Sequence, residues 1–211
     1  CERLGESGSQ LKSLLNRLGS PQIRNAGTVG GNLANGSPIA DMPPILIVMG
    51  AKLEIHGEKG ERDSTVEAFY EGYRKTTLRP DEYIAKIIMP VSAFSDFHRF
   101  YKSSKRIEDD ISSVMGAFRF TGSDAEITGA MIAYGGMAAT PIRLPEVEQQ
   151  IMGEVNDLMI SDAVEKTMEA MDPLSDVRAS ANYRKATAAG MLERALREFK
   201  GEEVPTVMEA M

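Results

Sequence analysis

The chain has 211 residues and an apolar fraction of 42%, enough for one large globular domain or two smaller ones. A net charge of -7 and a pI of about 5.0 argue against nucleic acid as a partner, because phosphates select clustered Lys and Arg. The longest apolar run, residues 45–49, is far below the ~20 residues of a membrane span. With a single cysteine and no signal-peptide pattern at its start, the chain is predicted to be cytoplasmic, without a membrane segment.

The first predicted element is a short amphipathic helix. Leucines recur at the spacing of one helical face, at Leu11, Leu14, Leu15 and Leu18. Ser9 before them is a suitable N-cap, and Gly19 after them is a suitable stop. By this pattern alone Leu18 is a core residue.

Residues 23–41, IRNAGTVGGNLANGSPIAD, are rich in glycines and small polar side chains. Glycines permit a positive φ and let the backbone come close to a ligand, and side chains such as Thr28 and Asn32 offer hydrogen bonds. The segment is therefore typical of a loop whose backbone amides contact an anionic ligand. Its glycine spacing matches neither a Rossmann fingerprint nor a P-loop, and a plain turn is the alternative interpretation.

The start of the next helix is ambiguous. Ser37 before Pro38 resembles an N-cap followed by proline, whereas Asp41 before Met42 is a competing start. By its position alone Asp41 is a helix cap.

Residues 52–56 predict a strand, and the turn-rich residues 57–63 follow it. His56 is expected to be exposed. The only other histidine is His98, and Cys1 is remote in sequence, so no spacing indicates a metal site. A GxSxG elbow is also missing from the sequence, and no residue is predicted to be catalytic.

Residues 69–80, FYEGYRKTTLRP, combine aromatic side chains with cations. By themselves these cations are typical of a solvated surface loop. Residues 83–89 are apolar on both faces and predict a buried strand that Pro90 closes. Core packing explains Ile84 within this strand.

The character of the chain changes at residues 90–96, which we predict to separate a domain of residues 1–90 from a domain of residues 95–205. Beyond this boundary an antiparallel meander is predicted, with strands at 97–101, 113–120 and 126–134. A hairpin turn at residues 121–124 joins the last two strands.

Two amphipathic helices are predicted after the strands. Their apolar stripes consist of Val164, Thr167, Met168 and Met171 in the first, and of Ala188, Leu192, Ala195 and Phe199 in the second. Ser161 and Pro173 bound the first helix, and Gly201 ends the second. Strands followed by helices predict an α+β fold, with the helices on one face of a three-stranded antiparallel sheet.

Charged residues cluster after the first strand of the meander. By this pattern alone Lys102 is a solvated lysine at a strand end. Three acids follow it, Glu108, Asp109 and Asp110. They are typical of a solvated turn, with Arg106 as their local partner.

Several segments occur in the order that one protein family uses. They are TVGGNLANGSPIADMPPILIVMGAKLEI, EGYRKTTLRPDEYIAKIIMP, FYKSSKRIEDDISSV, AYGGMAATPIR and NYRKATAAGMLERAL. Through them, residues 18–199 resemble the FAD-binding (small) subunit of the xanthine dehydrogenase and molybdenum hydroxylase family. The resemblance includes the C-terminal domain of that subunit, which is similar to the C-terminal domain of the carbon monoxide dehydrogenase flavoprotein. It implies that this chain is the second lobe of a two-lobed FAD-binding domain followed by that C-terminal domain, and that a lobe holding the FAD pyrophosphate precedes it.

The resemblance also implies roles for individual residues. The cofactor-binding positions it marks are Leu18, Thr28, Val29, Gly30, Gly31, Asn32, Asp41, Ile84 and Lys102. Leu18 and Ile84 would pack against FAD, and the cations of residues 69–80 would line the approach of this anionic dinucleotide. Asp41 would face a hydroxyl or a ring N–H of FAD, because a carboxylate repels a pyrophosphate. Lys102 would lie near the flavin and stabilise its anionic reduced form, with Asp109 near the exposed flavin edge.

For the whole enzyme, the resemblance implies that electrons from purine at a molybdenum centre pass through [2Fe-2S] clusters and FAD to NAD+, as in purine catabolism. A [2Fe-2S] domain and a molybdenum-binding large subunit would hold the clusters and the molybdopterin, since a cluster requires about four ligands and this chain has 1 cysteine. Two alternatives stay open. The chain is a flavin segment of a carbon monoxide dehydrogenase-like hydroxylase with a non-NAD acceptor, or a non-catalytic docking scaffold for the partner subunits.

Overall fold

The computed structural model describes residues 5–107 and 109–205. The chain begins with four helices, α1 (Gly5–Leu15), α2 (Pro21–Ala26), α3 (Val29–Ala34) and α4 (Met42–Val48). The prediction of α1 was correct in its apolar face, where Leu14 is buried, but its bounds were wrong. The helix begins before Ser9 and ends before Leu18, because Arg17 turns away to donate to the carbonyls of Lys102 and Ile107.

The glycine-rich segment was predicted as a loop and instead contains the two short helices α2 and α3. Ser20 Oγ caps α2 by accepting from Ile23 N, and Thr28 Oγ1 caps α3 by accepting from Gly31 N at 2.9 Å. Gly31 is therefore helical, and the left-handed conformation occurs only later, at Gly36 with φ +61°. The caps satisfy amides that would otherwise stay unpaired, which lets a glycine-rich sequence form helix here.

Helix α4 begins at Met42, so the structure decides between the two predicted starts in favour of Asp41 as the N-cap position. The Asp41 side chain, however, makes no capping hydrogen bond. All residues of α4 from Met42 to Val48 are buried. The role of Asp41 as a side-chain cap was therefore a wrong prediction, and its carboxylate is free to bond elsewhere.

The first sheet is antiparallel and has the order β2–β1–β5, formed by β1 (Lys52–Gly57), β2 (Gly60–Thr65) and β5 (Tyr83–Ile88). A small hairpin of β3 (Tyr70–Gly72) and β4 (Lys75–Thr76) lies between them in sequence. The predicted strands at β1 and β5 are confirmed. The expectation that β5 is buried on both faces was wrong: it is an edge strand, and Tyr83 is 61% exposed.

The second sheet confirms the predicted meander of β6 (Phe97–Ser103), β7 (Val114–Ser123) and β8 (Glu126–Gly135). The β7–β8 turn consists of Asp124 and Ala125, both with positive φ, as in the two-residue turns that match strand twist. Two short strands extend this sheet to five, β9 (Ile142–Arg143) and β10 (Gly153–Glu154), both paired with β8. A 3-10 helix, Val91–Ser95, joins the two sheets.

Three helices complete the fold, α5 (Pro145–Gln150), α6 (Asp157–Glu169) and α7 (Ala181–Phe199). The stripe predicted for α7 is confirmed, with Leu192 fully buried. The first predicted stripe is correct in Thr167 and Met171, which are buried, and in Val164, which packs against the same core. It was wrong at Met168, which is 40% exposed, and in the start of the helix, because α6 begins earlier, behind the Asn156 cap. Its buried face contains Ile160, Ala163 and Thr167.

The second sheet is covered on both faces, whereas helices were predicted on one. Phe118 and its neighbours pack against α6 and α7 in one core. On the other face Met115 and Ala117 pack with α4 and with Leu53 of the first sheet in a second core. This second core is continuous across residues 90–96, and the division of the chain there stays a prediction. None of the described helices is long and apolar enough to cross a membrane.

Candidate functional site

A cavity of about 860 Å³ opens where the first four helices meet the ends of β6 and β7. Its volume lies in the range of about 300–1,000 Å³ that small-molecule sites occupy. Among the residues predicted to bind a cofactor, the structure brings these to its wall: Leu18, Thr28, Val29, Gly31, Asn32, Asp41 and Lys102. Segments far apart in sequence therefore form one concave surface.

Gly30 and Ile84 do not line this cavity. They lie beside each other behind its wall, where a Cβ built on Gly30 would approach the Ile84 Cβ to 4.0 Å. Ile84 is half-buried and packs against the core of the first sheet. Their predicted contacts with a cofactor stay predictions.

A buried ion pair forms one side of the cavity. Lys102 Nζ donates to Asp41 Oδ2 at 2.6 Å, and the two side chains are only 2% and 5% exposed. The hydroxyl of buried Ser112 donates to the other carboxylate oxygen of Asp41. The alternative of a solvated Lys102 was therefore wrong, since its charge is neutralised inside the protein by a residue at the start of α4.

The wall that contains α3 carries an unused acceptor. Asn32 Oδ1 is buried and has no hydrogen-bond partner among the described residues. Thr28 Oγ1, in contrast, is already used by Gly31 N, and a Cβ on Gly31 would lie 3.0 Å from that oxygen. A buried polar atom without a partner is costly, so the wall is suited to a ligand that donates a hydrogen bond to Asn32.

The cavity carries a surplus of positive charge. Four cations line it, Arg24, Arg74, Lys102 and Arg178, against the two carboxylates Asp41 and Asp110. Within residues 5–107 and 109–205, neither the Arg74 nor the Arg178 guanidinium makes a hydrogen bond or an ion pair. Asp41 already neutralises Lys102, and the Arg24 guanidinium is held by the carbonyls of Asn16 and Gly19, so Arg74 and Arg178 are the cations whose hydrogen-bond donors are available to an anionic ligand.

The cations of residues 69–80 lie in two different environments, one for each interpretation of this segment. Arg74 lines the cavity, as expected if the run lies on the approach of an anion. Lys75 instead forms a surface ion pair with Glu71 at 3.0 Å, and Arg79 pairs at 2.5 Å with Glu82, whose side chain is only 1% exposed. Arg178 was missed, since it lies in an irregular segment before α7 that shows no sequence pattern.

The acidic turn after β6 is only partly at the cavity. Asp110 lines it, and backbone hydrogen bonds led by the one from Arg106 hold the pKa of this carboxyl below its ordinary value. Arg106 also pairs with Asp110 at 3.6 Å, as predicted. Asp109 instead accepts from Ser20 N and holds the turn against the start of α2, while Glu108 lies outside the described residues.

Family comparisons match almost the whole chain in two parts. The model for the FAD binding domain in molybdopterin dehydrogenase matches residues 2–92, and the model for the CO dehydrogenase flavoprotein C-terminal domain matches residues 99–199. The cavity-wall residues from Thr28 to Asp41 belong to the first match, whereas Lys102, Ser112 and Arg178 belong to the second. The cavity therefore lies between the two matched parts.

Individual relatives agree with these matches. The carbon monoxide dehydrogenase medium chain of Afipia carboxidovorans is 33% identical over 184 residues, with 87% of this chain and 64% of that protein covered. Xanthine dehydrogenase/oxidase of Gallus gallus is 33% identical over 156 residues, covering 72% of this chain and 12% of that protein. The solved structure of reconstituted CO dehydrogenase from Oligotropha carboxidovorans superimposes with a TM-score of 0.81 at 30% identity, covering 88% of this chain and 65% of that one.

The chain thus spans less than two thirds of the medium chain that it matches and a small part of the xanthine dehydrogenase. Both matched domains and the superimposed structure agree on one group of proteins. The two matched domains follow each other along the chain in the same order as the segments that carry the family resemblance. The chain belongs to the family of the FAD-binding subunits of molybdenum hydroxylases, which are FAD-dependent oxidoreductases.

Proposed function

We propose that the cavity is one wall of an FAD site and that the chain is an electron-transfer segment of a xanthine dehydrogenase-like molybdenum hydroxylase. The observation that carries this proposal is the meeting of the Thr28–Asn32 segment with the Asp41–Lys102 pair around one cavity with surplus positive charge. An anionic dinucleotide matches that charge, and its ring and ribityl donors match the unused acceptor of Asn32.

FAD, when bound, supplies the redox chemistry by accepting and releasing electrons. The residues of this chain would bind and orient it. Arg74 and Arg178 would attract its phosphates, Asn32 Oδ1 would accept a hydrogen bond, and the side chains of Leu18 and Val29 would cover its apolar surface. The neutral Asp41–Lys102 pair would fix the local potential without adding net charge.

In the whole enzyme, electrons would reach FAD from [2Fe-2S] clusters and leave to NAD+. The clusters and the molybdopterin would be held by a [2Fe-2S] domain and a molybdenum-binding large subunit, in the cytoplasm. A carbon monoxide dehydrogenase-like enzyme with another acceptor is a second candidate with equal support, because the identity is 33% both to a carbon monoxide dehydrogenase medium chain and to a xanthine dehydrogenase/oxidase. Stopped-flow mixing of the holoenzyme with NADH separates the two, because only the first predicts rapid bleaching of the flavin.

FAD binding itself is tested by titrating FAD into the purified chain and into a longer polypeptide that includes an upstream flavin lobe. We expect a flavin band and quenched flavin fluorescence in the longer form. The variant Gly31→Val should bind more weakly, because its side chain would meet Thr28 Oγ1 and project into the cavity. Gly190→Ala is the control, since a Cβ there meets nothing within 4 Å. Equal affinity of the parent and Gly31→Val would contradict the proposal.

A further inference from the structure

Three ligating side chains converge on the outer face of the first sheet. His56 Nε2 lies 2.8 Å from Glu54 Oε1 and 3.5 Å from Glu61 Oε1. One nitrogen and two carboxylate oxygens of these residues all lie within 4.8 Å of one another. None of the three residues lines the cavity, so this cluster is independent of FAD binding.

Strand geometry explains how the cluster forms. Glu54 and His56 are two positions apart in β1 and point to the same side of the sheet, opposite to buried Leu53 and Ile55. Glu61 is the partner of His56 in the β1–β2 register, which brings it alongside. This cluster could not be predicted from the sequence, because its residues come together across a hairpin whose second strand, β2, lies partly in a segment predicted as turn-rich.

The separations suit a single divalent ion. Zinc lies about 2.0–2.2 Å from nitrogen and oxygen ligands in a tetrahedral arrangement, which separates neighbouring ligand atoms by roughly 3.3 Å. Two of the three separations, 2.8 and 3.5 Å, bracket that value, and the third, between the two carboxylate oxygens, is within 4.8 Å, so rotations of the side chains would bring the ligands to one ion. We propose that Glu54, His56 and Glu61 form a site for a divalent transition-metal ion such as Zn²⁺, with water as the remaining ligand.

One neighbouring cation competes for this site. Lys86 Nζ, on β5, lies 2.7 Å from the same Glu54 oxygen that faces His56. Lys86 is exposed, so it can release Glu54 into water at little cost when a metal ion arrives. A metal ion would therefore replace Lys86 as the partner of Glu54 and tie β1 to β2 through Glu61 and His56.

The experiment measures Zn²⁺ binding by isothermal titration calorimetry to the purified chain. The chain carries no histidine tag and has Cys1→Ser, which removes a thiol that would itself bind zinc. We expect one equivalent of Zn²⁺ per chain, and Mg²⁺ at the same concentration should not compete, because it prefers sites made only of oxygen. His56→Ala and Glu61→Gln should each weaken binding at least about tenfold, since even residues behind a ligand typically contribute that much.

Two further variants make the test specific. Glu165→Gln removes an exposed carboxylate on α6 and should bind Zn²⁺ like the parent, whereas Lys86→Met should bind it more tightly because the competing cation is lost. Equal thermal unfolding of all variants in EDTA shows that they fold alike. The proposal is overturned if the parent binds no Zn²⁺, if His56→Ala or Glu61→Gln binds as the parent does, or if Lys86→Met leaves the affinity unchanged. The cluster is then only an ion-pair network.

Discussion

The substitution Lys102→Met tests the energetics of the candidate site directly. Lys102 and Asp41 are 2% and 5% exposed and lie 2.6 Å apart, so removing the lysine leaves a buried carboxylate with Ser112 as its remaining partner. Breaking a buried pair in this way typically costs about 3–5 kcal/mol. With an m value of about 2 kcal/mol/M, the urea midpoint should fall by roughly 1.5–2.5 M.

Urea unfolding at neutral pH, followed by circular dichroism, measures this effect. Lys59→Met is the matched control, because Lys59 is exposed in the β1–β2 hairpin and should change the unfolding free energy by less than about 0.5 kcal/mol. Adding Asp41→Asn to Lys102→Met should recover about 1 kcal/mol or more, since the orphaned charge is removed. The reasoning is refuted if Lys102→Met costs no more than Lys59→Met, or if the two site substitutions are additive.

Three further predictions concern the ligand, pH and the core. Asn32→Ala removes the buried acceptor without a partner and should weaken FAD binding, measured by flavin fluorescence, while leaving the urea midpoint nearly unchanged. Hydrogen bonds from Arg62 first, and from a backbone amide, lower the pKa of Glu82 to about 2, so its stabilising contribution is present above the ordinary carboxyl pKa of about 4.3. Stability should fall between about pH 4.5 and pH 2 in acid titrations of the parent, and less in Glu82→Gln. Leu192→Ala should lower the unfolding free energy, measured in urea, by about 2–5 kcal/mol, because this α7 side chain is fully buried in the core between α7 and the second sheet. A loss below about 1 kcal/mol would contradict this packing.

Local patterns predicted the elements whose signal lies in their own sequence. The spacing of β6 to β8 predicted the meander, and the apolar stripe of α7 predicted a helix with one buried face; both are confirmed. Strand β2, GERDST, was missed because it is an exposed polar strand whose pairing with β1 is the only reason for its conformation. Helices α2 and α3 were missed because six-residue helices depend on their caps and surroundings rather than on their propensity.

Several residues of the cavity could be predicted from the sequence, but their contacts with one another could not. The small-residue composition around Thr28 and Asn32 pointed to a ligand, and the family resemblance added Asp41 and Lys102. Nothing local indicated that the last two bond to each other, since they are 61 positions apart. Arg178 was missed for the same reason, because only the packing of α7 against the second sheet brings it to the cavity.

The pairing of Asp41 with Lys102 also explains why the site requires both matched parts of the chain. Asp41 precedes a helix that is entirely buried against the second sheet, and Lys102 lies near the end of β6 in that sheet. The ion pair therefore fixes the start of α4 against the strand ends, and this junction forms the wall of the cavity. A fragment that ends before residue 97 would retain Thr28 and Asn32 but would lose Lys102, Ser112 and Arg178. Such a fragment would expose the buried face of α4 and could not form this cavity, so the proposed cofactor site and the packing of the two parts depend on the same contacts.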